Sequence, residues 1–129
     1  MFDDATIVAM VASADLPAAK AFYGGTLGMS AMEDNDWLAV YTVRDRSSLV
    51  VYGRPGHVAP PNTCATLLVD DVPGTAAELR AKGISLIEYD MPDIKTENGI
   101  WDQPDGGKAA WFRDPDGNIL SVQSRPPQG

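Results

Sequence analysis

A chain of 129 residues can bury one core of useful size and needs no second. With 44% hydrophobic and 22% charged residues it has the composition of an ordinary globular protein, and a formal charge of −8 with scattered Lys and Arg excludes phosphate-backbone recognition of nucleic acid. The longest wholly apolar run, IVAMVA at 7–12, is too short to cross a bilayer, so no membrane span is expected. Acidic Asp3 and Asp4 replace the positive start of a signal peptide, and the single cysteine, Cys64, excludes an internal disulfide; a cytoplasmic address is expected.

In chain order, TIVAMVA (6–12) reads as an apolar strand, followed by Asp15 as a helix cap and Pro17 in the first turn. An Ala-rich helical stretch follows and ends near Gly28. The acidic EDND (33–36) reads as a solvated turn rather than a calcium loop. SSLVVYGRP (47–55) closes the first half, and PGHVAPPN (55–62), rich in Pro and Gly, reads as a linker. The same punctuation then recurs: strand CATLLV (64–69), cap Asp71, Pro73, a helix with core face Val72, Ala76 and Leu79, and Gly83 as the left-handed stop. The segment 91–107, MPDIKTENGIWDQPDGG, reads as a long insertion between strands with an isolated Ile-Trp pair at its centre. FRDPDGNILSV (112–122) is a tight turn followed by a strand.

The halves are an internal repeat. Asp15, Pro17 and Ala21 match Asp71, Pro73 and Ala77; after one residue is skipped, Gly28, Ser30 and Glu33 match Gly83, Ser85 and Glu88. SSLVVYGRP and NILSVQSRP (118–126) coincide at Leu, Val, Arg and Pro. The expectation is an α+β fold, β-α-β-β-β twice, in a single domain over 1–129 with modules at 1–58 and 59–126. Period-two counting puts Ile7, Val11, Leu49, Val51, Ala65, Leu67, Val69, Leu120 and Val122 on one apolar sheet face, suited to helices. Val8, Met10, Val50, Tyr52, Cys64, Thr66, Ser121 and Gln123 share the other, a mixed face of the kind that lines a partly wet pocket.

The segments SADLPAAKAFYGGTLGM, VDDVPGTAAELRAKG and WFRDPDGNILSV, spread over nearly the whole chain, resemble the vicinal oxygen chelate superfamily of glyoxalase I, extradiol dioxygenases and bleomycin-resistance proteins. The resemblance implies two βαβββ modules forming a curled mixed sheet around a cleft, commonly in a homodimer. It also implies four metal-ligand positions, which here are Val8, Val50, Cys64 and Ser121. Two alkyl groups, a thiol and a hydroxyl fall short of the donors that zinc or non-haem iron requires, so neither metal nor other cofactor is expected.

Trp37, Trp101 and Trp111 offer flat faces for a planar or cationic ligand, with Trp101 as a lid over the cleft. His57 lies in the linker, Cys64 has no base nearby by spacing, and Ser121 lacks a Gly-x-Ser-x-Gly elbow, so no catalytic residue is assigned. The resulting expectation is a metal-independent small-molecule binder of the bleomycin-resistance type that sequesters an aromatic or cationic compound. The alternative is an enzyme of the superfamily, a lyase, isomerase or dioxygenase, with displaced ligands or metal-free acid–base chemistry through His57, Glu88 or a carboxylate of 91–107. A module that binds a partner protein, without a ligand, is a third possibility.

Overall fold

Asp15 and Asp71 both cap helices. In the computed structural model, which describes residues 1–44 and 47–126, the Asp15 side chain accepts from Ala18 N–H at 3.3 Å and Asp71 accepts from Gly74 N–H at 3.0 Å. Each cap satisfies one of the unpaired N–H groups at a helix start, with a proline in the first turn where its missing N–H costs nothing.

The chain divides into two compact units, the first Met1–Ala59 with Pro115–Gly117, the second beginning at Pro60. The first holds β1 (Ala9–Ser13), α1 (Leu16–Lys20), β2 (Ser30–Asp34), β3 (Leu38–Thr42) and β4 (Ser48–Gly53). Its sheet has the order β1-β4-β3-β2, with β1 and β4 parallel and the other pairs antiparallel. Directly after α1 the backbone widens into a π-helical turn, Ala21–Thr26, in which Leu27 N–H donates to Phe22 O at 2.8 Å. Gly28 then turns the chain with φ of 70°. Val11, Val51 and Ala39 form one cross-strand row and Ala9, Leu49 and Tyr41 the next. Both rows face the helix side, where Ala19 and Tyr23 are buried.

The second unit repeats the plan with β5 (Thr63–Val69), α2 (Val72–Ala81), β6 (Ile100–Asp102), β7 (Lys108–Arg113) and β8 (Ile119–Ser124), in sheet order β5-β8-β7-β6. Val72, Ala76 and Leu79 are buried as their spacing requires, α2 lies against β7 and β8, and Ala110, Phe112, Leu120 and Val122 are buried beneath it. Burying a side chain such as Leu120 or Phe112 contributes about 1.5–3 kcal/mol. Gly83, at φ of 84°, ends α2. The DPDG turn is locked by Asp114, whose carboxylate accepts from both the backbone N–H and the side-chain amide of Asn118 at 2.9 Å. Two mixed four-stranded sheets, neither closed into a barrel, thus carry the expected β-α-β-β-β order twice.

Four local expectations are corrected. β1 begins at Ala9, not Thr6, and Ile7 is 89% exposed, because β4 offers partners only from Leu49 onward. Ala65, Leu67 and Val69 are half-buried rather than core, since β5 stands at the edge of its sheet. Glu33 and Asp34 of EDND belong to β2. The Ile-Trp pair of segment 91–107 lies in β6, paired through Ile100–Ala110 and Trp101–Ala109, so the pair belongs to the sheet and is no free loop. No helix is long and apolar enough to cross a membrane.

Candidate functional site

Each sheet turns one face to its helix; the opposite, open face is itself partly covered, with Ala109 and Ser121 fully buried and Trp111 nearly so in the second sheet. On the open face of the first sheet, Met10 pairs with Val50 and Val50 with Val40, and the next row runs Ala12, Tyr52, Leu38. Val8 directly precedes the strand at 41% exposure and Met10 stands at 55%, while Val50 is buried and Tyr52 half-buried. Trp37, 74% exposed, sits in the β2–β3 turn, where Asn35 Oδ1 accepts from the N–H groups of Trp37 and Leu38.

The open face of the second sheet has different chemistry. Thr66, Ser121 and Trp111 form one cross-strand row; Leu68, Gln123, Ala109 and Trp101 form the next. Thr66 Oγ1 and Ser121 Oγ are 2.7 Å apart, and Gln123 Nε2 donates to Ser121 Oγ at 3.5 Å. Ser121 is fully buried, Thr66 exposed and Gln123 half-buried. Beside this polar group stands an aromatic one. Trp111, 6% exposed, packs edge-on to Tyr89 at 5.0 Å between centroids and tilted against Trp101 at 6.2 Å. Ile87 and Ile94 complete the cluster. Thr96 holds Tyr89 in place: its hydroxyl accepts from Tyr89 N–H at 2.8 Å and contacts Tyr89 O at 3.3 Å.

Of the residues singled out in the sequence, Thr66, Ser121, Gln123, Trp101 and Trp111 therefore share one sheet face. Met10, Val50 and Tyr52 share the open face of the other sheet. Cys64 is the extra residue where the β5–β8 register shifts between Thr63 and Ala65, with Sγ 3.8 Å from Asn62 O. Strict alternation could not place it, because a bulge breaks the period of two. His57 lies in the turn that follows Arg54, to whose carbonyl its N–H donates. Trp101 is half-buried within a strand, a position different from that of a mobile lid. Alternation also left out Leu68 and Ala109, and no sequence signal marked Thr96 as the clasp under Tyr89.

A groove of about 310 Å³ runs beside β6, lined by Trp101 and Ile100 together with Asp93, Glu97, Asp102 and Lys95. Lys108 pairs with Asp102 at its margin. Among the described residues no group of three or more His, Cys, Asp or Glu is placed to hold a metal ion. The metal-ligand positions implied by the resemblance carry Val8, Val50, Cys64 and Ser121. Their two alkyl chains offer no lone pair, and the Ser121 hydroxyl is already engaged with Thr66, so this donor set does not fit a divalent metal.

Residues 7–122 match the family model described as the Glyoxalase/Bleomycin resistance protein/Dioxygenase superfamily. Among solved structures, the bleomycin resistance determinant encoded on the transposon Tn5 superposes with a TM-score of 0.72 at 23% identity, covering 95% of this chain and 98% of that one. A bleomycin-binding protein complexed with bleomycin gives 0.70 at 23% identity over 94% and 98%. Lactoylglutathione lyase from Agrobacterium tumefaciens gives 0.71 at 19% identity over 93% and 92%. At these identities the likeness is one of fold. A search of curated proteins gave no match.

Proposed function

Because the chain belongs to the Glyoxalase/Bleomycin resistance protein/Dioxygenase superfamily, we propose that it binds a small molecule without a metal and sequesters an aromatic or cationic compound; a protein of the same fold binds bleomycin. The observation that carries this reading is the open face of the second sheet. There Ser121, at the position that the resemblance assigns to a metal-ligating carboxylate, is hydrogen-bonded to Thr66, and the half-buried Trp101 lies in the next row beside a groove lined by Asp93, Glu97, Asp102 and Lys95. An indole face with nearby anions attracts a planar or cationic group. Trp111, buried behind Trp101, stiffens that surface. On the first sheet Val8, Met10 and Trp37 supply exposed apolar contact. We propose a cytoplasmic homodimer as the working form, which would cover part of this apolar surface.

The test combines a thermal-shift screen of planar aromatic and cationic compounds with metal analysis of protein purified without chelator. The expected result is stabilising hits and no stoichiometric metal. Trp101→Ala should weaken any hit about two- to tenfold, the loss of one aromatic contact, and, because Trp101 also packs on Trp111, should lower the melting temperature as well. A full equivalent of bound metal, or hits indifferent to Trp101, would sink the reading. Turnover of a hit would favour the enzyme reading, for which the lyase from Agrobacterium tumefaciens is the fold precedent.

A further inference from the structure

The turn that leads into β6 is made of two residues. Glu97 N–H donates to Ile100 O at 2.8 Å and Ile100 N–H to Glu97 O at 3.0 Å, so Asn98 and Gly99 alone carry the reversal. Their φ values of 53° and 78° are those of a type I′ turn, whose twist matches that of the strands it joins. Asn98 is the one non-glycine residue at positive φ among the described residues, a conformation asparagine tolerates better than most. At Gly99 nothing larger fits, because a Cβ there would come within 2.7 Å of Leu86. The Asn98 side chain is exposed, and Arg80, in the last turn of α2, donates to the Asn98 backbone carbonyl.

We propose that Asn98 is a site of spontaneous deamidation and that the Arg80 clasp holds its rate down. The Gly99 amide nitrogen, once it loses its proton to solvent base, attacks the Asn98 side-chain carbonyl carbon. A C–N bond forms, the Cγ–Nδ2 bond breaks, and the nitrogen leaves as ammonia with a proton taken from water. Water then opens the five-membered ring at either carbonyl and yields aspartate or isoaspartate. Glycine, having no side chain, shields its nitrogen least from this attack. In the closed turn, however, Asn98 has the ψ of about +30° of a type I′ turn, which aims the Gly99 nitrogen away from the carboxamide. Ring closure needs that peptide to swing about the Asn98 Cα–C bond, which carries the carbonyl oxygen away from Arg80. The reaction therefore draws on the locally opened turn, and the clasp keeps that state rare. Isoaspartate is the damaging product: it adds a backbone methylene to a turn built for two residues, so Ile100 and Trp101 lose register against Ala110 and Ala109.

The experiment ages the intact protein in mildly alkaline buffer, then digests it and follows each asparagine peptide by mass spectrometry, where deamidation adds one mass unit and chromatography separates the isoaspartate form. Asn62, equally exposed but followed by Thr63, is the internal reference; Asn118, buried and bonded to Asp114, is a second. Asn98 should react before either. Arg80→Met should speed Asn98 about two- to tenfold, the span of one exposed hydrogen bond, and leave Asn62 unchanged. If Asn98 reacts no faster than Asn62 in both proteins, the site is wrong. If Asn98 reacts first but at one rate with and without Arg80, the clasp is wrong. Equal acceleration of Asn62 and Asn98 in Arg80→Met would assign the effect to general loosening of the fold and likewise overturn the clasp.

Discussion

The two open sheet faces occupy the same frame with different chemistry. Met10 pairs with Val50 where Thr66 pairs with Ser121, and Val40 crosses from Val50 where Trp111 crosses from Ser121. In the next row Leu38 faces Tyr52 where Ala109 faces Gln123. The helix sides, by contrast, are interchangeable in kind: Val11, Leu49 and Val51 on one, Leu120 and Val122 on the other, all buried. The helix side answers to packing, which accepts any apolar residues of fitting volume. The opposite faces differ in kind, aliphatic in the central rows of the first sheet and hydroxyl and aromatic in the second, so the repeat carries the fold while these faces diverge.

The comparison can be broken first where it is largest. Trp111→Ala should cost about 3–5 kcal/mol of folding stability in urea, because the indole is buried under Tyr89 and Trp101, whereas Val40→Ala at the equivalent place should cost clearly less. Equal losses would show that the two open faces are packed alike. A smaller effect sharpens the contrast between the central pairs. Val50→Ser puts a hydroxyl opposite Met10, where no partner waits, and should cost about 1–3 kcal/mol; adding Met10→Thr supplies the partner and should recover part of the loss. A double variant no better than the single one would mean that the hydroxyl pair of the second sheet needs Gln123 as well.

The smallest effect is seen in alkaline solution. Tyr41 occupies in the first sheet the place of Phe112 in the second, opposite Leu49 as Phe112 is opposite Leu120. Burial, and after it the nearby charge of Asp34, raises its phenol above the ordinary value of 10.0. The native state therefore holds the proton more tightly than the unfolded chain. This contribution is complete below the unfolded value and is lost as pH rises through the higher native one. Denaturation midpoints followed upward from neutral pH should begin to fall once the pH passes the unfolded value of 10.0, and Tyr41→Phe should flatten part of the fall. An unchanged slope in Tyr41→Phe would show that the Tyr41 proton takes no part in it.

Much of this architecture was legible because local chemistry dictates it. Asp15, Asp71, Pro17, Pro73 and Gly83 act through backbone groups within a few residues, so their roles follow from sequence neighbours alone. The buried faces of β4 and β8 followed from alternation. What escaped depends on partners distant in sequence. Ile7 is exposed because a strand ends where its neighbour ends, Cys64 is displaced by a register shift, and β6 exists because Ala109 and Ala110 pair with Trp101 and Ile100. The open-face positions Thr66, Ser121 and Gln123 were placed together by period-two counting, but the 2.7 Å contact between Thr66 and Ser121 depends on the register of β5 against β8.

The π-helical turn at Ala21–Thr26 accounts for the one place where the two copies differ in length along the helix. The terminating glycine stands thirteen residues after the capping aspartate in the first copy, Gly28 after Asp15, and twelve in the second, Gly83 after Asp71. A π turn takes up one residue more than an α turn while leaving the chain on the same axis. The residue that must be skipped to align the two halves is thus stored inside the helix, and the strands beyond it keep the same order and pairing in both copies. The helix thus absorbs the one-residue difference between the two copies before it reaches the sheet, and the wide turn keeps the strands of both in the same register with their helices.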